Sequence, residues 1–373
     1  MSKVKTFTAI ATLMGTAIGA GILGIPYVAS LSGFPIALVH LIVIGALVLL
    51  TVLYLGEIGL RTKKNHQLPG YAELYLGKKG KNLMILAFAF GIYAALIAYL
   101  IGESQSLSFI FFDSAKYSLS LGFAFWLILS LVTYRGLKSL EQGEKLGVSA
   151  IIILIVAIAV LTWKNISPQN ISYINPQNFF VPFGVILFAY LGFAATPEVE
   201  RILKNNKKSV FKSLITAYIL IFLIYTVFTF VVLGSQGLGT TEIATLSLGK
   251  IFILLGMFTM LTSYLGLSIA MIDTLKFDYN FSKNKAWLLT SLPPLAFFVF
   301  LELFSLSSFS KALGIGGALS GGLTAILILL MIKSAKQKGK RVPEYSMPYS
   351  KLLTWILIAI FTIGAIFEIA NVI

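Results

Sequence analysis

Long apolar runs from one end of the chain to the other decide what this sequence can fold into. Runs of 18 residues or more recur throughout, and each is long enough to cross a hydrocarbon core about 30 Å thick. Of the 373 residues, 58% are hydrophobic and only 12% are charged, well below the charged share of a soluble chain. Because a backbone in lipid must satisfy its own hydrogen bonds, such runs form helices. The sequence therefore predicts an all-α membrane protein.

Eleven apolar runs are separated by polar loops. We expect transmembrane helices at residues 6–31, 36–60, 82–112, 118–135, 146–163, 180–203, 210–234, 245–275, 286–304, 311–333 and 352–372. On one set of alternate loops, which includes the N-terminus, there are twenty-five Lys and Arg residues, and on the other set there are four. Because positively charged loops stay in the cytoplasm, this asymmetry predicts a multi-pass plasma (cell) membrane protein with a cytoplasmic N-terminus and an extracytoplasmic C-terminus.

The lengths of the runs repeat after the fifth. The third and eighth runs are both 31 residues long, longer than any other run in the chain. Since five is an odd number, the second set of five enters the membrane from the opposite side, as in the inverted repeats of secondary transporters. We therefore predict a first repeat at 1–163, a second repeat at 164–335, and a cytoplasmic loop with an eleventh helix at 336–373.

Two runs in corresponding positions of these repeats contain residues that interrupt helices. The first run contains GTAIGAGILGIP at 15–26, which ends in Pro26, and the sixth contains PFGVILFAYLGFAATPEVER at 182–201, with Gly192 and Pro197. Glycine accepts backbone angles that other residues avoid, and proline lacks an N–H group. A helix broken inside the membrane offers N–H groups to a carboxylate and carbonyl groups to a cation. The pair of breaks predicts a transporter binding site.

These segments resemble a known family. GTAIGAGILGIP followed by SGF at 32–34 is similar to the first helix of the aromatic and hydroxy amino acid permeases, and LTSYLGLSIAMID at 261–273 resembles their eighth helix. FAYLGF with the following Glu198 and Glu200 looks more like the wider amino acid–polyamine–organocation (APC) superfamily, which includes the amino acid/auxin permease branch. The resemblance implies an amino acid substrate and a LeuT-like 5+5 inverted repeat with helices 1 and 6 discontinuous and one extra C-terminal helix. It departs at Ala194, where the aromatic branch carries histidine, so an aromatic preference stays open.

The resemblance also implies a substrate site at the two breaks. The substrate carboxylate would be held by backbone N–H groups, those of Ala20, Gly21 and Ile22. Its ammonium group would be held by backbone carbonyl groups, those of Ala17, Phe188 and Ala189. The side-chain pocket would be formed by Tyr99, Tyr190, Gly192 and Phe193, and Gly19 is a further residue of the substrate site. The alternatives are aromatic packing for the two tyrosines, and close helix packing through the GxxxG spacing that Gly19 forms with Gly15.

A coupling ion is implied by the eighth run. Its LTS triplet matches the sodium-coupled members of this fold, and neutral oxygens suit a hard cation. The resemblance implies a sodium site made of two hydroxyl and three carbonyl groups, those of Thr262, Ser263, Gly15, Ile18 and Thr259. The alternative is that the hydroxyl groups bond back to their own helix.

Proton coupling remains open. Some proton-coupled relatives carry a lysine in the fifth helix, where this chain has Val156. The candidate proton carrier is Glu103, which lies late in the third run, where an ionisable group is costly. The alternative is a solvated carboxylate near the external interface.

Together these features predict a secondary-active symporter that takes up neutral amino acids, aromatic ones among the candidates, by alternating access. We expect Na⁺ or H⁺ as coupling cation, no other cofactor and no nucleic acid. A proton-coupled or ion-independent exchanger and an amino acid sensor with a transporter fold are the alternatives. An enzyme is not expected, because the sequence has no HExxH motif, no acid pair and no histidine cluster.

Overall fold

The computed structural model describes residues 2–64, 66–135, 153, 155–277 and 279–372. These residues form helices and connecting turns, and no strand occurs among them. The all-helical architecture confirms the fold class predicted from the apolar runs. It follows from the same physics, because only a helix satisfies every main-chain polar group within its own segment.

The helices are numbered in chain order. They are α1 (Ser2–Ala17), α2 (Gly21–Ser32), α3 (Phe34–Arg61), α4 (Leu68–Phe112), α5 (Ser118–Arg135), α6 (Ile155–Asn165), α7 (Pro168–Ser172), α8 (Pro182–Ala189), α9 (Thr196–Ile202), α10 (Ser209–Gln236), α11 (Lys250–Phe277), α12 (Lys283–Leu303), α13 (Phe309–Ile315), α14 (Gly322–Lys338) and α15 (Lys351–Val372). A π-helix at Gly316–Gly321 joins α13 to α14.

Within the described ranges, nine helical segments are long and apolar enough to cross a membrane, or ten if the bent pair of α1 and α2 is one span. Each corresponds to one of the predicted runs. The run predicted at 146–163 falls largely outside the described residues, which include its last part as α6. The count of eleven therefore stays a prediction.

Helix α4 is 45 residues long and changes direction at Gly77. This residue has φ 77° and ψ −170°, a backbone conformation that glycine adopts without a steric penalty. The part before Gly77 buries Tyr71 and Tyr75, and the Tyr75 hydroxyl lies 2.8 Å from the Thr62 hydroxyl at the end of α3. The kink thus separates a short helix that contacts the end of α3 from the long apolar span.

Helices α2 and α8 and most of α9 are buried in the bundle, and α1 is buried toward its C-terminal end, whereas Val4 and Phe7 near its start are exposed. Helix α1 packs against α9 and α10, and α8 packs against α2, α3, α13 and the π-helix. The long helix α4 packs against α5, α11, α12, α13 and α14. One continuous cluster of buried apolar side chains connects these helices. The places where α1 and α8 end therefore lie within the core.

The residues between α14 and α15, which we call the 339–350 segment, are fastened to α3. The fully buried carboxylate of Glu57 accepts hydrogen bonds from Arg61 Nε at 2.8 Å and Lys336 Nζ at 2.6 Å. It also accepts from Ser346 Oγ at 3.0 Å and from the Met347 main-chain N–H at 2.7 Å. One buried charge thus fixes the position of this segment against the end of α3.

Candidate functional site

The first break lies between α1 and α2. Helix α1 ends at Ala17 and α2 begins at Gly21, and their axes are bent by 56°. The Gly19 N–H donates to Ala17 O at 3.0 Å, and the Ile22 N–H donates to Gly19 O at 3.4 Å. Because these donors turn to nearer acceptors, the carbonyl groups of Gly15 and Ile18 lose the partners that a continuous helix would give them.

Free N–H groups remain at the same break. Those of Ala20 and Gly21 have no backbone acceptor among the described residues. Ala20, Gly21 and Ile22 are all buried, so water at the surface does not satisfy them. The N-terminus of α2 therefore presents unpaired donors inside the bundle, which is an arrangement suited to a carboxylate.

The second break lies between α8 and α9. Helix α8 ends at Ala189, and Gly192 precedes a single 3₁₀ turn at Phe193–Ala195 that leads into α9. In the described part of the chain, the N–H groups of Gly192, Phe193 and Ala194 have no backbone acceptor. Phe193 is buried, whereas Ala194 is exposed.

The two breaks are in direct contact. A Cβ atom placed on Gly21 would lie 2.9 Å from Ala189 Cα and 3.2 Å from Phe188 Cδ1, and one placed on Gly192 would lie 3.5 Å from Ala17 Cβ. The N-terminus of α2 therefore meets the C-terminus of α8, and the end of α1 meets Gly192. The predicted carboxylate and ammonium ligands come together in one place.

Two tyrosines of α10, which the sequence analysis did not identify, bond to the carbonyl groups at these breaks. The Tyr225 hydroxyl lies 2.6 Å from Ala189 O and 3.1 Å from Ala17 O, and the Tyr218 hydroxyl donates to Tyr190 O at 3.1 Å. Both tyrosines are buried, and their spacing of seven residues places them on the same face of α10. That spacing in an apolar run indicates that the two tyrosines share a face, but it does not indicate that this face turns inward.

Gly19 has two hydroxyl groups beside it. A Cβ atom at Gly19 would lie 3.3 Å from Ser263 Oγ and 3.5 Å from Tyr99 Oη. Ser263 belongs to α11 and Tyr99 to α4, so three helices meet at this glycine. The structure thus brings Tyr99 to the first break, as the prediction required.

Tyr190 has a different environment from the one expected for a pocket residue. Its hydroxyl donates to Leu41 O of α3 at 3.1 Å, and its ring lies 3.0 Å from the Cβ position of Gly45. The ring also makes an edge contact with Tyr225, with 5.2 Å between the centroids. These contacts favour the packing role for Tyr190. The ring of Phe188, by contrast, lies between the Cβ positions of Gly21 and Gly316.

The hydroxyl groups predicted to bind sodium differ in their contacts. Thr262 Oγ1 donates to Phe258 O at 3.1 Å and to Thr259 O at 3.0 Å, so it bonds back to its own helix. Ser263 Oγ instead points to the first break, where the Gly15 and Ile18 carbonyl groups have no helical partner. The contacts of Thr262 and Thr259 favour the helix-bonded alternative, and those of Ser263 favour a role at the break.

The alternative interpretation of Glu103 as a solvated carboxylate is wrong. Its side chain is 0% exposed, and the main chain of Leu261 in α11 lies beside its carboxyl group. The physical reason is that α11 and α13 cover this part of α4, with Met260 and Phe309 in contact with the neighbouring Gly102. The position of Glu103 near the end of its run does not indicate that other helices cover it.

Comparison with known proteins finds a family whose sequences match nearly the whole chain. The sequence profile of the tryptophan/tyrosine permease family matches residues 2–368. Glutamine transporter 2 of Aliivibrio fischeri (strain ATCC 700601 / ES114) is 24% identical over 356 residues, which cover 90% of this chain and 90% of that protein.

Two further relatives have names that specify aromatic substrates. Tyrosine-specific transport system 1 of Haemophilus influenzae (strain ATCC 51907 / DSM 11121 / KW20 / Rd) is 22% identical over 369 residues, with 91% of this chain and 90% of that protein covered. The tryptophan-specific transport protein of Shigella flexneri is 23% identical over 387 residues, with 94% and 91% covered.

Proposed function

We propose, for a chain that belongs to the tryptophan/tyrosine permease family, a secondary-active symporter that takes up neutral amino acids by alternating access. Because the family and the relatives consist of transport proteins, the protein is an amino acid permease and not an enzyme. Its apolar helices place it in a membrane as an integral protein.

One observation carries this proposal: two short helices end side by side in the core and leave N–H groups unpaired. The donors of Ala20 and Gly21 lie beside the C-terminal end of α8 at Ala189. An amino acid supplies a carboxylate for the free donors and an ammonium group for the carbonyl groups nearby. We propose that the carboxylate binds the free N–H groups of Ala20 and Gly21 and that of Ile22, which gives up its bond to Gly19 O. The ammonium group binds at Ala17, Phe188 and Ala189.

A neutral side chain fits the surroundings of these breaks. The groups that lie against Gly19 and Gly21 are the hydroxyls of Tyr99 and Ser263 and the ring of Phe188, none of which is charged at neutral pH. The relatives are named for glutamine, tyrosine and tryptophan, which are amino acids with neutral side chains. We propose that Phe188, Phe193 and Tyr99 contact the substrate side chain, with Gly19 and Gly192 leaving the space for it, and that Tyr190 supports the site from behind.

For the architecture we propose eleven spans in a LeuT-like 5+5 inverted repeat, of the APC type, with spans one and six discontinuous. The first repeat is placed at 1–163 and the second at 164–335. The uneven distribution of Lys and Arg supports a cytoplasmic N-terminus and an extracytoplasmic C-terminus. Spans one, two, six and seven would then move against spans three, four, eight and nine around the site.

A cation is proposed as the driving ion. Gly15 O and Ile18 O lack helical partners, and Ser263 Oγ lies 3.3 Å from the Cβ position of Gly19 at the same break, which supports a cation site there. The complete sodium site would also take Thr262 Oγ1 and Thr259 O, which requires Thr262 to give up its bond to Thr259. The burial of Glu103 favours a proton instead.

The test is transport by the purified protein in liposomes. Vesicles loaded with an unlabelled amino acid should take up the labelled one by counterflow, for glutamine, tyrosine or tryptophan, and protein-free vesicles should not. Accumulation would then be measured under an imposed sodium or proton gradient. A protein that binds and exchanges none of the twenty amino acids would contradict the proposed function, and sodium-driven uptake unchanged by Thr262→Ala would contradict the sodium site.

A further inference from the structure

The last helix of the described chain, α15, carries one carboxyl group into the bundle. Glu368, in the last turns of α15, is only 8% exposed, whereas most residues of this helix are exposed. No ion pair in the described part of the protein includes Glu368. A buried carboxyl group without a counter-ion is costly unless a hydrogen-bond donor faces it.

The donor that faces Glu368 is in the first turn of α8. The main-chain N–H of Gly184 donates a hydrogen bond to the Glu368 carboxyl group. Gly184 is the third residue of α8, so its N–H has no partner within the helix, and it has no other backbone acceptor among the described residues. Val181, which precedes α8, provides no side-chain cap. Glu368 therefore caps α8 from another helix, with the oxygen acceptor that a helix N-terminus favours.

Two glycines leave the space for this carboxyl group. A Cβ atom at Gly184 would lie 2.5 Å from Glu368 Oε2, and one at Gly314 of α13 would overlap Glu368 Oε1. The three atoms nearest to the Cβ position of Gly314 all belong to Glu368. The carboxyl group thus fills the place where α8, α13 and α15 meet, and a larger residue at either glycine position would displace it.

Apolar contacts hold α15 against the start of α8. The ring of Phe183 in α8 lies against Gly364 of α15, where a Cβ atom would overlap the ring. Phe367 of α15 stacks on Phe180, just before α8, with 4.0 Å between the centroids and 6° between the planes. Because a hydrogen bond is directional and apolar contacts are not, the bond from Glu368 fixes the position of the first turn of α8 within this contact.

The other end of α8 is at the second break. The helix has eight residues and ends at Ala189, so it is about 12 Å long. Ala189 O accepts a hydrogen bond from Tyr225 and is one of the carbonyl groups proposed to bind the substrate ammonium group. A buried helix of two turns in a close-packed interior transmits a shift of one end to the other. A displaced first turn would therefore displace Ala189.

We propose that Glu368 is a positioning residue for the substrate site, which holds α8 so that the Ala189 carbonyl group can bind the substrate. This inference rests on the proposed function, because it concerns the geometry of the same site. It gives α15, which lies outside the two proposed repeats, a role in substrate binding. The role requires an oxygen acceptor at this position, so glutamine should replace Glu368 and an apolar residue should not.

The test uses the full chain in liposomes, with counterflow measured over a range of substrate concentrations and melting temperature measured for each variant. Glu368→Gln keeps an oxygen acceptor for Gly184, whereas Glu368→Leu has a similar volume and no acceptor. Phe367→Leu is the matched control on the neighbouring residue, because it removes the stacking on Phe180 and leaves the carboxyl group in place.

We expect Glu368→Leu to raise the KM of counterflow about tenfold, as for a misplaced binding group, with a much smaller change in the maximal rate. Glu368→Gln should keep the wild-type KM. Phe367→Leu should lower the melting temperature and leave the KM unchanged. A wild-type KM in Glu368→Leu would overturn the inference, and so would a KM raised equally in Glu368→Leu and in either of the other two variants.

Gly314→Ala reaches the same contact from α13. Its methyl group should displace the carboxyl group from Gly184 and raise the KM, and it should have little further effect in Glu368→Ala, where the space is free. If Glu368→Leu does not fold, a wild-type KM in Gly314→Ala overturns the inference. Absence of counterflow in the wild-type protein would contradict the proposed function and the inference with it, whereas the outcomes above contradict the inference alone.

Discussion

The Tyr225 hydroxyl lies 2.6 Å from the carbonyl oxygen of Ala189, where α8 ends. The same hydroxyl lies 3.1 Å from Ala17 O, where α1 ends, so its single proton is shared between the two broken helices. A side chain of α10 therefore fixes the distance between the two halves of the site. The substrate ammonium group that we propose for these carbonyl groups would share them with this hydroxyl.

Removing that hydroxyl should weaken both the fold and the site. We expect Tyr225→Phe to lower the free energy of unfolding by about 1–3 kcal/mol, because buried carbonyl groups lose their donor. Because the helix ends are no longer held together, we also expect substrate affinity to fall by about tenfold. Thermal unfolding and substrate binding of the purified protein measure the two effects.

Tyr93→Phe is the matched control for this substitution. The Tyr93 hydroxyl also donates to a carbonyl oxygen, Leu289 O at 2.7 Å, but at an exposed position away from the breaks. We expect its substrate affinity to equal that of the wild type. Equal affinity in Tyr225→Phe and Tyr93→Phe would contradict a role of Tyr225 at the site.

The glycines of the first break should differ in what they tolerate. A Cβ atom at Gly21 would lie 2.9 Å from the backbone of Ala189, which cannot move aside as a side chain does. We expect Gly21→Ala to cost about 3 kcal/mol or to prevent folding. At Gly19 the nearest atoms are side-chain hydroxyls at 3.3 and 3.5 Å, so Gly19→Ala should fold and lose transport. Melting temperature and counterflow measure these outcomes.

Gly266→Ala provides the comparison for both glycines. Apart from its own turn of helix, no atom of the described residues lies within 4 Å of the Cβ position of Gly266 in α11, and alanine favours a helix by up to about 1 kcal/mol over glycine. This variant should melt at or above the wild-type temperature and transport normally. If Gly21→Ala matched Gly266→Ala in both measurements, the close contact between the two breaks would be refuted.

The sequence could predict where the chain is apolar and where its glycines lie, and these patterns account for most of the architecture. The glycines of 15–26 lie where α1 ends, and Gly192 lies just before the turn that leads into α9. It could not predict which face of span seven turns inward, because a tyrosine in an apolar run is equally compatible with packing and with the membrane interface. Tyr225 and Tyr218 acquire their role only when α10 packs beside α1 and α2.

Glu103 and Tyr190 are two further residues whose surroundings could not be predicted from the sequence. The position of Glu103 near the end of a run suggested an exposed carboxylate, but the cover of α11 and α13 buries it. The position of Tyr190 in the sixth run suggested a pocket residue, but its hydroxyl bonds to Leu41 O of α3. In both cases the packing of neighbouring helices determines the environment of the side chain. That packing cannot be predicted from the residues around it in the sequence.

The charge network at the end of α3 leads to a stability prediction. Glu57 is fully buried and bonds to Arg61 and Lys336, so Glu57→Gln leaves two cations without their counter-ion. Breaking a buried pair typically costs about 3–5 kcal/mol. We expect a marked fall in melting temperature and faster proteolysis within the 339–350 segment. The measurements are thermal unfolding and limited digestion followed by mass spectrometry.

An exposed ion pair supplies the contrast for Glu57. Glu73 and Lys81 form a 2.7 Å pair whose side chains are 43% and 36% exposed. Such surface pairs contribute about 1 kcal/mol or less, so Glu73→Gln should leave the melting temperature and the digestion pattern nearly unchanged. A Glu57→Gln variant as stable as Glu73→Gln would mean that the 339–350 segment is held by other contacts.

The glycine-rich stretch at 314–322 should act through packing on α8. A Cβ atom at Gly317 would lie 2.2 Å from Gly184 O and 2.6 Å from Phe188 N, both of the α8 backbone. Gly317→Ala would therefore push α8 away from the π-helix and displace Ala189 at the second break. We expect a loss of stability of about 3 kcal/mol or more and a loss of substrate binding. At Gly322 the nearest atom is 3.7 Å away, so Gly322→Ala should melt and bind substrate as the wild type does. Equal binding by the two variants would argue that the position of α8 does not control the site.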